Sequence, residues 1–287
     1  MDAMTKIKTR LIPYTLILPA LIAYVTWHVI PIIGVIRLSF FKTNYVRTSW
    51  VGLKNYIDMF SDPEFLSALG NSVLYVVLVV PANLAIAIGL ALMIFNTKEN
   101  FQTYVKTLVY LPGFIGALIL SATWAWIFSS DMGLINQIFV MLGGNPVAWF
   151  GNRFMSVFPI CVAHVITGAG GGVILFNARM KAIPNSVIDA AMIDGCNWPK
   201  VKLLILLPNI RSTVVLIALV QTIATLQLYY WIRFLAPFDY AANLMFRMFQ
   251  LAFEYNKYGK GSAQAVVLMV IILGIAIFQF RMMRKAK

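Results

Sequence analysis

Charged side chains are scarce in this sequence, and their scarcity argues against a soluble protein. They make up 11% of the 287 residues, while 61% of the residues are hydrophobic. A soluble domain carries roughly 25% charged residues. The strands of a membrane β-barrel would alternate in polarity over about ten residues, whereas the apolar runs here are continuous. The composition therefore predicts an all-α, polytopic membrane protein.

Histidine, cysteine and acidic residues are also few, which argues against a catalytic or metal centre. The chain has two histidines, His28 and His164, too few for a histidine-rich metal site. Its two cysteines, Cys161 and Cys196, lie in segments of different character, so no disulfide framework is expected. The signatures H-E-x-x-H and G-x-S-x-G are absent. We predict no metal site and no catalytic residue.

A nucleotide-binding loop is missing as well. The segment from Gly259 to Ser262 resembles the end of a P-loop, but Glu254 stands where the first glycine of that motif belongs. We therefore expect no cofactor in this chain. The net charge of +13 fits the positive-inside rule and anionic lipid. Nucleic acid is not an expected partner, because no soluble basic domain is present to bind it.

Six apolar runs are long enough to cross a bilayer, and we treat residues 1–287 as one transmembrane domain. The predicted spans are 11–40, 68–95, 107–128, 155–178, 209–231 and 262–280. Segment 134–142 is too short to cross and is expected at the membrane interface. Fourteen Lys and Arg residues flank the side that holds both termini, against nine on the other side. Both termini are therefore predicted to be cytoplasmic.

The longest polar interruption between spans is segment 183–208, which this orientation places in the cytoplasm. Pro184 gives a helix start, and Gly195 gives a helix stop. Asn197 is a possible N-cap of a second helix with Pro199 in its first turn. These signals predict a short helix, a sharp corner, and a helix that enters the membrane. An ordinary loop between helices remains an alternative interpretation.

The six spans contain no acidic residue, which bears on the source of energy. An ion-coupled transporter commonly uses an intramembrane carboxylate or an unwound helix. All ten acids lie outside the predicted spans. Energy is therefore expected from outside this chain. An ion-coupled secondary carrier, or a channel for a neutral polar solute, is the main alternative, and a membrane enzyme is a third.

Neutral polar residues and glycines remain inside the fourth and fifth spans. The candidate path residues are His164, Thr167, Gly168, Gln221, Thr222, Thr225 and Leu228. They can hydrogen-bond between helices, or pack closely in the case of Gly168 and Gly172. They can also line a path, and a lining of amides, hydroxyls and an imidazole suits a neutral polyhydroxylated solute.

Segment 183–208 resembles the EAA loop of permease subunits in ABC importers. The matching residues are Ile183, Pro184, Asp189, Ala190, Ala191, Asp194, Gly195, Cys196 and Pro208. Asp189 replaces the usual glutamate, and Cys196 replaces the usual alanine. Segments 51–56, 132–136 and 258–265 resemble the carbohydrate-uptake branch, maltose/glycerol-phosphate type, and their order suits its first permease.

The resemblance implies a type I ABC importer permease fold with six transmembrane helices and a cytoplasmic coupling helix. Pro184, Asp189, Ala190, Ala191, Asp194, Gly195 and Pro208 would couple to an ATPase. The implied complex lies in a bacterial inner (plasma) membrane and imports a sugar or oligosaccharide. It contains a second permease in a heterodimer, two cytoplasmic nucleotide-binding ATPase subunits and an extracytoplasmic solute-binding protein. ATP and Mg²⁺ would bind the ATPase, so this chain is not expected to be an enzyme.

Overall fold

The computed structural model describes residues 3–43, 46–236 and 239–285, which are almost entirely helical. The helices are α1 (Ala3–Tyr24), α2 (Ile30–Leu38), α3 (Lys54–Phe60), α4 (Pro63–Ile94), α5 (Glu99–Tyr110), α6 (Ala117–Ile127), α7 (Leu134–Met141), α8 (Arg153–Gly168), α9 (Gly170–Lys181), α10 (Asn185–Ile193), α11 (Trp198–Val201), α12 (Leu207–Asn209), α13 (Arg211–Leu226), α14 (Tyr229–Leu235), α15 (Leu244–Phe249) and α16 (Tyr258–Lys285). Single π or 3₁₀ turns occupy Val25–Val29, Leu111–Phe114, Lys202–Leu206, Asp239–Ala241 and Gln250–Glu254. Strands β1 (Phe41–Thr43) and β2 (Thr48–Trp50) form an antiparallel hairpin.

Three helical stretches are each long and apolar enough to cross a membrane. They are Tyr14–Leu38, Pro63–Ile94 and Tyr258–Met283. Three more reach that length as two helices joined at a bend, so the described residues supply up to six spans. The bent pairs are Glu99–Phe114 with Ala117–Ile127, Arg153–Gly168 with Gly170–Lys181, and Trp198–Asn209 with Arg211–Leu226. The helical, membrane-spanning fold class predicted from the sequence is confirmed.

The bends fall where proline and glycine weaken the helical hydrogen-bond ladder. The first pair bends by 96° just after Pro112 and Gly113, and the third bends by 63° shortly after Pro208. Proline supplies no backbone N–H, and membranes tolerate such breaks where neighbouring groups satisfy the freed backbone. The predicted third span, 107–128, is thus two sharply angled helices. The fifth, predicted as 209–231, stops being one helix at Leu226.

Helix α4 is the centre of the larger of two compact units, which comprises Asp62–Arg247 and Leu268–Lys287. It packs against α8, α9 and α13. Its first half, with Tyr75 and Val79, belongs to one apolar core shared with α8 and α14. Its second half, with Ala87 and Ala91, belongs to another core shared with α9 and α13. One helix therefore links two separate cores along its length.

The smaller unit contains the described residues up to Ser61 together with Met248–Val267. The apolar window within Tyr14–Leu38 has none of its residues buried inside this chain. Its side chains are thus available to lipid or to another chain. The prediction of a single domain stays a prediction.

Side chains near the start of α4 fasten segment 239–246 to that helix. Asn71 Nδ2 donates to the carbonyl oxygens of Tyr240 and Ala242, at 2.9 and 2.8 Å. Its Oδ1 accepts a hydrogen bond from Arg153 Nε at 2.8 Å. Tyr75 adds a fourth bond by donating its hydroxyl to the carbonyl of Ala241 at 2.9 Å. One buried amide therefore joins α4, α8 and the segment that follows α14.

Replacing Asn71 with leucine removes three of these bonds and leaves two carbonyl groups without their donor. We expect Asn71→Leu to lower the free energy of unfolding by about 1–3 kcal/mol. Thermal unfolding of the purified chain in detergent measures the change. Thr123→Val is the control, because within the described residues the exposed Thr123 hydroxyl bonds to the carbonyl of Ile119 in its own helix and to no other element. Equal melting temperatures for Asn71→Leu and the unmodified chain would contradict this account.

Candidate coupling helix and transport path

Helix α10 has the boundaries that the sequence predicts, and its ends are closed by local chemistry. It starts after Pro184, which has an extended ψ of 135°. At the other end, Gly195 N donates to Met192 O at 3.1 Å, and Cys196 N donates to Ala191 O at 2.9 Å. This pair of bonds is a Schellman motif, which requires a left-handed residue at its corner. Gly195 supplies it with φ of +85°.

The second helix begins immediately after this corner. Asn197 Oδ1 accepts a hydrogen bond from Lys200 N at 3.2 Å, and Pro199 lies in the first turn, as predicted. The chain continues through the π turn Lys202–Leu206 into α12, which contains Pro208. Pro208 therefore lies at the base of this second helix, just before the 63° bend, and not on α10.

One face of α10 is held by the chain itself. Ile188 is 7% exposed and joins the core formed by the second half of α4 with α9 and the start of α13. Ala191, Cys196 and Trp198 pack against the same core. The atypical Cys196 thus has a packing position, where a small apolar side chain fits. Ile188 thus packs α10 against the helices that share this core.

The opposite face of α10 is apolar and uncovered. Ile193 is 86% exposed, Val187 is exposed, and Ala190 lies exposed between them. The candidate acidic residues also lie outward: Asp189 is exposed, and Asp194 is the C-cap residue. A large apolar side chain exposed on a polar loop is typical of a protein–protein contact.

A groove of about 500 Å³ runs beside α10. It is lined by Phe95, Asn96, Thr97, Lys181, Ile183, Asn185, Ile188, Asp189, Met192 and Trp198. Asp189 is the one acidic side chain in this lining, and Lys181 is the one basic side chain. Lys181 Nζ lies 3.8 Å from Glu99 Oε1, and because both groups are largely exposed, this pair contributes little to stability.

Two of the candidate path residues, Gly168 and Gln221, meet at the break between α8 and α9. The carbonyl of Gly168, at the end of α8, accepts a hydrogen bond from Gln221 Nε2 of α13 at 3.2 Å. A Cβ at Gly168 would lie 3.3 Å from Asn83 Nδ2, and one at Gly172 would lie 2.8 Å from Ala87 Cβ. The two glycines therefore serve close packing against α4, while Gln221 satisfies the carbonyl freed by the break.

Asn83 of α4 lies against the Gly168 position, but it was missed as a candidate in the sequence. We refer to Asn83 of α4, His164 of α8 and Thr225 of α13 together as the buried polar layer. Asn83 is 2% exposed, and neither its Oδ1 nor its Nδ2 has a hydrogen-bond partner among the described residues. The same is true of both ring nitrogens of His164 and of Thr225 Oγ1. Asn83 lies between the two apolar cores of α4. A single asparagine in an apolar run gives no signal until its neighbours are known.

The remaining candidate residues differ from these in their hydrogen bonding or in their position. Thr167 Oγ1 and Thr222 Oγ1 donate to carbonyls of their own helices, those of Ala163 and Ala218, at 2.8 and 2.7 Å. Leu228 lies beyond the end of α13 and is buried in the core around Tyr75, so it does not continue a helical stripe from Gln221 and Thr225.

The structure thus forms two groups of candidate residues. The α10 group stands at one end of α9, and the buried polar layer lies where α4, α8 and α13 meet. Within residues 3–43, 46–236 and 239–285, no three His, Cys, Asp or Glu side chains are grouped to hold a metal ion.

Known proteins resemble this chain along its whole length. The alpha-glucoside transport system permease protein AglF of Rhizobium meliloti is 30% identical over 290 residues, which cover 96% of this chain and 83% of AglF. The probable ABC transporter permease protein YesP of Bacillus subtilis is 29% identical, with coverage of 98% and 94%. No protein-family model matches the chain.

A solved structure has the same fold. It is a bacterial alginate ABC transporter in complex with an alginate pentasaccharide-bound periplasmic protein. One of its chains superposes with a TM-score of 0.87 at 22% identity, over 99% of this chain and 98% of that one. The predicted resemblance is confirmed, and the relatives are transport permeases, not enzymes. This chain belongs to the family of ABC transporter permease subunits.

Proposed function

We propose that this permease serves an ATP-driven importer of a sugar or oligosaccharide, delivered by an extracytoplasmic solute-binding protein. The observation that carries the proposal is α10, whose inner face is buried through Ile188 while its outer face presents Ile193 to solvent. Such a helix is suited to receive force from another subunit and pass it to the packed spans. Because the chain belongs to the ABC transporter permeases, the three alternative functions are no longer supported: an ion-coupled carrier, a channel and a membrane enzyme.

The substrate class is supported by relatives and by the polar layer. AglF is named for alpha-glucosides, and the structural neighbour for alginate, which are both carbohydrates. Asn83, His164 and Thr225 offer an amide, an imidazole and a hydroxyl group, and none of the three carries a fixed charge. Such groups can hydrogen-bond sugar hydroxyls. The polar atoms are buried here, so a solute reaches them only when α4, α8 and α13 separate.

The expected partners are a second permease, two cytoplasmic ATPase subunits and the solute-binding protein. The neighbouring alginate transporter, in complex with a periplasmic protein, supports this kind of assembly. ATP and Mg²⁺ would bind the ATPase subunits, and this chain would hold no cofactor. The complex would lie in a bacterial inner membrane with both termini of this chain in the cytoplasm. The basic residues Arg179 and Lys181, next to α10, support that orientation.

The proposed coupling mechanism rests on α10 and on the helices that share one apolar core with it. Closure of the ATPase dimer would displace α10 as a rigid unit, because the Schellman motif closes its end. Ile188 would pass that displacement to the core of α4, α9 and α13. Helices on either side of Asn83 would then shift relative to each other and open the layer to the solute. ATP binding would thus change the populations of closed and open states through contacts that differ between them.

The outer face of α10 is tested by Ile193→Asp. We expect uptake into proteoliposomes by the reconstituted importer to fall at least about tenfold, because a central apolar anchor of an interface is lost. ATP hydrolysis should no longer respond to the loaded binding protein. The chain itself should fold normally, since Ile193 is 86% exposed.

The matched control is Asn100→Asp, which adds the same charge to an exposed position of α5. Its uptake should equal that of the unmodified importer. Normal, ATP-coupled uptake by Ile193→Asp would contradict the role of α10.

The polar layer is tested by Asn83→Leu and Thr225→Val. Both replace a buried polar group that has no partner, so neither should lower the melting temperature, and relief of a desolvation cost of about 1–3 kcal/mol can raise it. We expect both to reduce uptake while basal ATP hydrolysis is kept. Thr123→Val, at an exposed position of α6, is the control. Wild-type uptake rates, or a loss of stability, would show that these groups only pack.

A further inference from the structure

A basic pocket of about 770 Å³ lies wholly within the smaller unit, apart from α10 and the polar layer. It is lined by Lys42, Thr43, Arg47, Ser49, Val51, Lys54, Asn55, Asp58, Tyr255, Asn256, Lys257, Gly259 and Lys260. Its walls are the β1–β2 hairpin, α3 and the start of α16. The proposed orientation places it on the extracytoplasmic side. Nothing in the function proposed above uses it.

The floor of the pocket is held in place by hydrogen bonds and close backbone packing. Asn55 of α3 is 3% exposed and donates to the carbonyl oxygens of Ser39 and Phe41, at 2.8 and 2.9 Å. Gly259 of α16 approaches the Phe41 carbonyl so closely that a Cβ there would collide with it. Asn256, at the turn before α16, has a left-handed φ of 53°. The β1–β2 hairpin, the neighbouring helix α3 and the distant start of α16 are therefore held together around one concave space.

The charge of the pocket is strongly of one sign. Five of its lining side chains are cationic, namely Lys42, Arg47, Lys54, Lys257 and Lys260, against the single carboxylate of Asp58. That carboxylate is engaged, since Lys260 Nζ lies 3.2 Å from Asp58 Oδ2. Within the described parts of the chain, Lys42 and Lys54 make no ion pair. A concave site lined by one sign of charge concentrates counter-ions.

The size and the charge together favour a small, multiply charged anion. Small-molecule sites have volumes of roughly 300–1,000 Å³, and this pocket falls in that range. A phosphate monoester carries about −1.5 to −2 charge near neutral pH, more than a single carboxylate. Lysine ammonium groups bind phosphate as point charges from several directions. Exposed Trp50, Phe253 and Tyr255 belong to the same unit, and such aromatic residues commonly lie at a membrane interface.

We propose that this pocket binds a phosphate group. Lys42, Lys54 and Lys257 supply the charge, while Asn55 and Gly259 keep the floor in place. The phosphate comes either from the headgroup of an anionic phospholipid at the outer surface or from a soluble phosphorylated solute. Both sources present anionic phosphate oxygens to the pocket, as a singly charged diester in the lipid headgroup and as a more highly charged group in the solute.

The test measures binding to the purified full-length chain in neutral detergent. The probes are pyrophosphate, short-chain phosphatidylglycerol and short-chain phosphatidylcholine, titrated while the melting temperature is followed. We expect saturable binding of at least one anionic probe and none of phosphatidylcholine beyond its weak detergent-like effect. Raising the ionic strength should weaken it, because the site is open to solvent.

The variant Lys54→Ala/Lys257→Ala should weaken that binding at least about tenfold. Both side chains are exposed, so the variant should fold as the unmodified chain does. Lys98→Ala/Lys200→Ala removes two exposed lysines from the larger unit and serves as the matched control, with unchanged binding expected.

Two results would support the site, and they distinguish the two possible sources of the phosphate group. Binding of phosphatidylglycerol alone identifies a lipid headgroup, and binding of pyrophosphate identifies a site open to soluble phosphates. Absence of saturable binding for both anionic probes overturns the proposal, as does equal affinity in Lys54→Ala/Lys257→Ala. If the variant instead loses binding of a soluble partner protein while neither anion binds, the pocket receives acidic side chains and the proposal is wrong. Transport coupling is not measured, so this outcome is independent of the proposed import function.

Discussion

The attachment of α10 through Ile188 is the constraint on which the rest of this account depends. Ile188 is 7% exposed and lies in the core that includes the second half of α4. Loss of such a side chain would cost about 2–5 kcal/mol, so α10 is not a free loop. The Schellman motif at Gly195 fixes its exit by two backbone bonds. A helix fixed at its end and along one face can carry a load applied to the other.

Helix α4 contributes to two apolar cores and, in the proposed mechanism, would carry that load between them; Asn83 lies between the two cores. The cores provide rigid packing on each side, whereas Asn83 and Thr225 contribute desolvated polar atoms without partners. Buried polar groups without partners are costly, so this layer contributes less to stability than the two apolar cores do. The glycine break between α8 and α9, bridged by Gln221, is the natural position for movement. Apolar packing is thus concentrated away from the layer that the proposed mechanism would open.

The features that could be predicted from the sequence are those set by residues adjacent in the chain. The limits of α10, the left-handed Gly195 and the Asn197 cap each depend on a few adjacent residues, and they are found as predicted. Asn83 was missed because its meaning depends on α8 and α13, which are distant in the chain. The 96° bend inside 107–128 was missed because apolar periodicity continues across Pro112. The basic pocket could not be predicted from the sequence, because its lining combines residues 42–58 with residues 255–260, which are distant in the chain.

The central claim is that the exposed face of α10 contacts the ATP-hydrolysing subunit of an importer. The most direct measurement places a photoreactive amino acid at position 193 in the intact, transporting complex and identifies the crosslinked polypeptide. The account predicts an adduct with the ATPase subunit, formed in higher yield at position 193 than at position 273, where Leu273 of the predicted sixth span is also exposed. An adduct confined to lipid or to this chain itself, in a complex that still transports, would contradict it.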